Sequence, residues 1–237
     1  MFMISCRRLG VKNCLKYLLT LGGGRVPARL INGVSNALNY LEVARWLREK
    51  GFDVGKRVSG RYEVFDAIIN RVNPRQVLYL EFGVYRGDSI RYWSSKLVNP
   101  ACVIHGFDSF EGLPEAWPQA GAPKGHFSTR GALPQICDGR VKFFKGWFSD
   151  TLPHYQPPPS EEMVINLDAD LYSSTKVVLD LLKPWIKVGA FLYFDEFQDR
   201  FNELRAFDEF LSETSWRFHL VAANTTLEHV AFQRLPD

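Results

Sequence analysis

From residue 76 onward, short apolar runs alternate with stretches of helical periodicity, and this alternation constrains the fold more than any other feature of the chain. The runs are QVLYLEF (76–82), CVIHGF (102–107), VKFFK (141–145), MVINLD (163–168) and AFLYFD (190–195). Helical spacing falls near 88–98, 174–183 and 201–212, and Pro184 stops the second of these. A half-exposed strand would alternate apolar and polar residues. A nearly continuous apolar run belongs to a strand covered on both faces, as in a parallel sheet between layers of helices. The tail segments SWRFHLVAAN and TLEHVAFQRL flank Asn224-Thr225 and read as a closing antiparallel hairpin. Before residue 73 the texture is helical. Leu38, Leu41, Ala44 and Leu47 share one stripe, ended by Gly51, and Tyr62, Phe65, Ile69 and Val72 share another. We therefore expect an α/β fold with an N-terminal helical extension over 1–72 and a ligand-binding domain over 73–237.

The chain has 237 residues, enough for one substantial core. A formal net charge of +3 is mild, whereas a nucleic-acid partner would call for a concentrated basic face. Cys6, Cys14, Cys102 and Cys137 show no CxxC spacing, so reduced thiols in a cytoplasmic protein are expected, with neither a disulfide framework nor a zinc site. No apolar run approaches the roughly twenty residues that a membrane span needs. The N-terminal stretch MFMISCRRLGVKNCLKYLLTLGGG imitates a signal peptide, but Lys12 and Lys16 interrupt its apolar part and no small-residue cleavage site follows. On a helix, Val11, Leu15 and Leu18 line one stripe and Arg8, Lys12 and Lys16 another. That pattern suits a membrane-surface helix or a helix docked on its own domain or on a second subunit, and docking is the preferred expectation. The Gly- and Pro-rich segment 109–135 reads as one long loop, a kind that is often functional.

Ligands of open parallel sheets bind beyond the carboxyl ends of the strands. There this chain places Glu81, Gly83 and Gly87, then Asp108 in GFDSFEGLPE, then KGWFSDTLP, LDADLYSST and FDEFQD. Asp108 lies twenty-one residues beyond Gly87, where an acid accepts hydrogen bonds from a ribose diol; a plain turn aspartate is the alternative. The turn Gly83-Val84-Tyr85-Arg86-Gly87 is neither GxGxxG nor a P-loop, and Glu81 would repel a phosphate. An acid there suits an amino group. The following helix N-terminus, with Asp88 and Ser89, offers N–H groups to a carboxylate. Ammonium, carboxylate and ribose together describe S-adenosylmethionine.

Asp168 and Asp170 follow the fourth run, and Asp195 and Glu196 the fifth. Two carboxylates about 4 Å apart repel by roughly 4 kcal/mol at an effective dielectric near 20. Such groups protonate, spread into water or bind a cation, and oxygen-only ligands favour Mg²⁺, Mn²⁺ or Ca²⁺. Asp170 is expected to face solvent or cap a helix.

Taken together, LEFGVYRGDSI, GFDSFEGLPE, FKGWFSDTLP, LDADLYSST and FDEF resemble the macrocin O-methyltransferase family of class I S-adenosylmethionine-dependent methyltransferases, over roughly residues 60–235. The resemblance implies a Rossmann-like, seven-stranded, mostly parallel sheet with an antiparallel last strand. It also implies N-terminal helices that shape the acceptor site and often a homodimer. The family acts on sugar hydroxyls in antibiotic pathways. By resemblance, Glu81, Gly83 and Ser89, with Tyr85 and Gly87 of the same turn, meet the methionine part. Asp108 holds the ribose with Ser109 beside it, and Gly146, Trp147 and Phe148 lie near the adenine. Asp168, Asp195 and Glu196 bind Mg²⁺, and Asp168 is the candidate base. The family pattern reads Asp-Gly-Asp and Asp-Asp where this chain has Asp168-Ala169-Asp170 and Asp195-Glu196, and glutamate's longer arm changes the geometry of the metal set.

The expected function is thus an O-methyltransferase, metal-assisted, acting on a hydroxyl of a sugar or other small natural-product-like acceptor. A metal-independent enzyme with a histidine base is one alternative; His126 and His154 sit in loops beside the expected pocket, while His105, His219 and His229 fall in strands. A non-catalytic S-adenosylmethionine-binding module is another, and it could dispense with the acids. A nicotinamide-dependent oxidoreductase would need the GxGxxG that is missing.

Overall fold

Phe82, Phe107, Leu167 and Phe194 stand side by side across four neighbouring strands, and this register decides where the chain's chemistry gathers. The computed structural model describes residues 11–55 and 57–237, so Cys6 and Arg8 lie outside the described residues. Two helices come first, α1 (Val11–Gly23) and α2 (Ala28–Glu49). The chain forms two compact units, the first ending at Leu38 and the second running Asn39–Asp237.

The second unit takes in α3 (Arg61–Val72) and seven strands: β1 (Val77–Phe82), β2 (Val103–Asp108), β3 (Val141–Lys145), β4 (Glu162–Leu167), β5 (Phe191–Phe194), β6 (Phe218–Ala223) and β7 (Val230–Arg234). Between them lie α4 (Asp88–Lys96), α5 (Phe148–Thr151), α6 (Tyr172–Leu182) and α7 (Glu203–Thr214). The sheet order is β3-β2-β1-β4-β5-β7-β6. Pairing is parallel from β3 through β5, and β7 runs antiparallel to both β5 and β6. The expected hairpin is present, with its second strand inserted beside β5 rather than at the edge.

Side chains alternate across β1. Leu78, Leu80 and Phe82 pack with Ile165, Val178, Phe194 and Phe207 on one face, while Val77 and Tyr79 pack with Phe65, Trp93 and Tyr193 on the other. Every residue of β1 is buried, as a sheet covered on both faces requires. The stripe of α2 is rotated from its expected position, while that of α3 is buried at Phe65, Ile69 and Val72 as expected. In α2 the inward residues are Asn39, Val43 and Leu47, while Leu38, Leu41 and Ala44 are exposed. Trp46 sets that face, stacking on Phe52 at 5.5 Å and donating to Asp208 at 2.7 Å. In α3 the inward set is Val64, Phe65, Ile68, Ile69 and Val72; Tyr62 is exposed and packs at 4.6 Å on Tyr92. Cys102 is a buried thiol receiving the Val77 N–H at 3.3 Å, and Cys137 is an exposed one.

The long loop over 109–135 has a fixed shape. Trp117 and Ala122 form an antiparallel bridge, and Trp117 Nε1 donates to Asp199 Oδ2 at 2.9 Å in the loop after β5. Leu113, Trp117, Ala122 and Leu171 make a small apolar cluster of their own.

Candidate active site

The hydrogen-bond ladder runs one residue past each strand. Gly83 N–H donates to Phe107, Asp168 N–H to Phe82, Asp195 N–H to Leu167 and Gly146 N–H to Asp108, at 2.9–3.0 Å. Gly83, Gly146, Asp168 and Asp195 therefore emerge at one level, beside Asp108 at the end of β2, at the carboxyl edge where ligands of such sheets bind. They surround a cavity of about 440 Å³. Tyr85, Ser89 and Ser109 also line it, as do Trp147, Phe148 and Glu196.

Two residues of the expected set do not line the cavity, Glu81 and Gly87. Gly87 is the N-cap of α4 with φ +80°, close against Pro134. Its role in the structure is to turn the chain into the helix. Glu81 is buried, and Tyr79 donates to its Oε2 at 2.5 Å. Its Oε1 is buried without a hydrogen-bond partner. Burial pushes this carboxyl up to about 8, against the hydrogen bond from Tyr79 that favours the charged form.

Gly83 has a reason independent of any ligand. With φ +94°, a Cβ built there would stand 1.8 Å from the Asp168 carbonyl oxygen, so the loops after β1 and β4 can touch only without a side chain. Asp108 likewise serves the fold. Its Oδ2 accepts the N–H groups of Val84 at 2.9 Å and Tyr85 at 2.8 Å, and its Oδ1 accepts that of Phe110 at 2.6 Å. It stitches the β1 turn to β2, lines the cavity, and keeps one acceptor site, on Oδ1, unused. Trp147 caps the short α5, and Phe148 meets Phe82 edge-on at 5.5 Å.

The acids are arranged around a residue that the sequence reading did not single out. Arg61, the first residue of α3, donates through Nη2 to Asp195 Oδ2 and through Nη1 to Ser89 Oγ at 3.3 Å; Nη1 also stands 3.8 Å from Asp168 Oδ2. Asp195 Oδ1 receives the Tyr193 hydroxyl at 2.7 Å and lies 3.1 Å from His229 Nδ1. Burial alone would raise the Asp195 carboxyl, but His229 and Arg61 outweigh it and hold the group below its ordinary range. Asp168 goes the other way, since burial and the neighbouring charge of Asp195 raise it against the pull of Arg61. Asp170 does not behave as expected. It lines the cavity with φ +59°, caps no helix, and is pushed up to about 8 by burial and by Glu196. Burial likewise lifts Glu196 to about 7, against a hydrogen bond from Gln198. Beneath it, the buried Glu203 accepts the Glu196 N–H at 2.9 Å.

This geometry does not show the expected Mg²⁺ set. Both oxygens of Asp195 already accept donors, the Arg61 guanidinium lies between Asp195 and Asp168, and Glu196 is bonded to Gln198. Among the described residues no group of three or more His, Cys, Asp or Glu side chains is arranged to hold a metal. As placed, Asp168, Asp195 and Glu196 do not form a common ligand set: Asp195 is taken up by Arg61, Tyr193 and His229, and Asp168 stands beside the Arg61 guanidinium. None of the five histidines lines the cavity. His126 and His154 are exposed, and His105 pairs with the Tyr155 hydroxyl at 2.7 Å. His229 reaches the site only through Asp195 and Tyr193.

A seven-stranded sheet in this order, with its one reversed strand beside β5 and its cavity at the strand ends, defines the class I methyltransferase fold. Solved structures agree. The O-methyltransferase NovP is 25% identical with a TM-score of 0.51, over 74% of this chain and 78% of that one. The calicheamicin methyltransferase CalS11 is 20% identical with a TM-score of 0.55, over 85% of this chain and 93% of that one, which speaks for the fold. The family model described as macrocin-O-methyltransferase (TylF) matches residues 132–226. Among curated relatives, the 8-demethyl-8-(2,3-dimethoxy-alpha-L-rhamnosyl)-tetracenomycin-C 4'-O-methyltransferase of Streptomyces olivaceus is 32% identical over 141 residues, 50% of this chain and 52% of that protein. Demethyldecarbamoylnovobiocin O-methyltransferase of Streptomyces niveus is 36% identical over 77 residues, 30% of this chain and 29% of that protein. The chain thus matches about half the length of the first of these relatives and less of the second.

Proposed function

We propose that the chain is an S-adenosylmethionine-dependent O-methyltransferase acting on a hydroxyl of a sugar or sugar-bearing natural product. The observation that carries this is the shared level of Gly83, Asp108, Gly146, Asp168 and Asp195 around one cavity. The curated relatives are named for O-methylation of such compounds. The cofactor-binding fold lies in the unit Asn39–Asp237, whose α3 contributes Arg61.

The residues fit the cofactor. The unpartnered Oε1 of Glu81 suits an ammonium donor, and Ser89 in the first turn of α4 suits a carboxylate. The remaining acceptor site of Asp108 suits one ribose hydroxyl, with Ser109 beside it, and Trp147 and Phe148 offer faces to a planar base. When bound, the cofactor supplies an electrophilic methyl on a sulfonium.

The protein's part is alignment and proton removal. A sugar hydroxyl is too weak an acid to ionise unaided at neutral pH, so its proton must leave as the new oxygen–carbon bond forms. Asp168, in the cavity wall, would take that proton. Arg61 counters part of the burial and of the Asp195 charge that raise the Asp168 carboxyl, and it is in turn held by Asp195, whose other oxygen Tyr193 and His229 engage. In this arrangement a guanidinium does the electrostatic work expected of a divalent ion.

Calorimetric titration with S-adenosylhomocysteine, in Mg²⁺ and then in EDTA, tests this directly. We expect micromolar binding in both. Absence of binding in both would remove the assignment.

A further inference from the structure

The first unit carries an apolar surface that the methyltransferase chemistry does not use. No residue of α1 is buried. Val11 is 88% exposed and Leu19 63%, with Leu15, Leu18 and Leu21 exposed beside them. At about 100° per residue, these five side chains fall within one arc of about 160°, while Lys12, Asn13, Lys16 and Thr20 fill the opposite side. Tyr17 stands at the boundary between the two faces. Leu30, Ile31, Val34 and Leu38 make a second exposed stripe on the first half of α2.

The charge of this segment is one-sided. Residues 1–41 contain Arg7, Arg8, Lys12, Lys16, Arg25 and Arg29 and no Asp or Glu. The rest of the chain holds 23 Lys and Arg against 26 Asp and Glu. The mild net charge of the whole therefore conceals a purely basic, apolar N-terminal segment on an otherwise acidic protein.

We propose that α1 and the first half of α2 are a docking surface for a bilayer carrying anionic lipids. The apolar faces enter the boundary between headgroups and acyl chains, and Lys12, Lys16, Arg25 and Arg29 meet the lipid phosphates. No helix among the described residues is long and apolar enough to cross a membrane, so the segment lies on the surface. A second copy of this chain is the competing occupant. A two-fold contact brings the same patch of both copies together, and here that would oppose bases to bases with no acid in the segment to pair them. An anionic surface complements both the charge and the apolar face.

The test is co-sedimentation of the full chain with vesicles of phosphatidylcholine alone and of phosphatidylcholine mixed with phosphatidylglycerol. Analytical ultracentrifugation without lipid runs beside it, and S-adenosylhomocysteine affinity serves as the check on folding. We expect binding only to the mixed vesicles, weakened by salt. Each base replaced in the series Lys12→Gln, Lys16→Gln, Arg25→Gln and Arg29→Gln should lower partitioning about fivefold. The double variant Leu15→Asn and Leu19→Asn should lose vesicle binding while keeping ligand affinity. Failure to bind mixed vesicles overturns the proposal, as does equal binding to neutral ones. A dimer that the Leu15 and Leu19 changes dissociate, with no vesicle binding, would assign the face to a second copy instead.

Discussion

Arg61 and Asp195 are 134 residues apart in sequence and joined by a direct ion pair at the floor of the cavity. Asp195 is 2% exposed, so the pair sits where solvent screening is weak. Removing Arg61 leaves the buried Asp195 with only Tyr193 and His229 against its charge.

Arg61→Met should therefore cost about 2 kcal/mol of stability and at least a tenfold loss of turnover, read by urea unfolding and by a methyl-transfer assay. In the wild type, turnover should withstand EDTA. Activity lost in EDTA and restored by Mg²⁺ would show that Arg61 yields its place to a metal, and the electrostatic account would fail.

Asp168→Asn keeps the size of the side chain and removes the base. We expect turnover to fall by a factor of about 10² to 10⁴, with S-adenosylhomocysteine affinity held within a few fold. Turnover at the wild-type rate would exclude Asp168 as the proton acceptor.

Glu81 supplies a pH signature. Its carboxyl is lifted to about 8 in the folded protein, above its unfolded value. The folded state thus keeps a proton that the unfolded chain releases, and this contribution to stability is full in acid and is lost as pH rises through 8. Glu81→Gln, which cannot ionise, should be more stable than the wild type at pH 9 and similar at pH 4. Because an ammonium partner favours the carboxylate, cofactor binding near pH 7 should release a proton. Titration in buffers of different ionisation enthalpy measures that release, and a heat independent of buffer would contradict it.

Gly83→Ala should damage the fold before it damages binding. The new methyl would meet the Asp168 carbonyl from a left-handed backbone that resists side chains, costing at least about 2 kcal/mol. Thermal melting of the variant decides this; an unchanged melting temperature would mean that the two loops separate freely.

Most of the architecture was readable from local pattern. VKFFK became β3 within its expected bounds, and the helix expected over 61–72 begins at Arg61 and ends at Val72. Continuous apolar runs announced strands covered on both sides, and the acids after them announced the reactive edge, because strand period and end position are written in consecutive residues. The inward face of α3 was readable at Phe65, Ile69 and Val72, but that of α2 was not, since apolar residues there occupy more than one stripe and the choice fell to partners such as Phe52. Nor was the purpose of Gly83, which is set by a carbonyl from β4. The acids illustrate the division most plainly. Their positions after β4 and β5 follow from the sequence, which suggested a cation among them. That the cation beside them is the side chain of Arg61 was decided only when α3 packed against the sheet, because a long-range ion pair leaves no periodicity, spacing or composition to read.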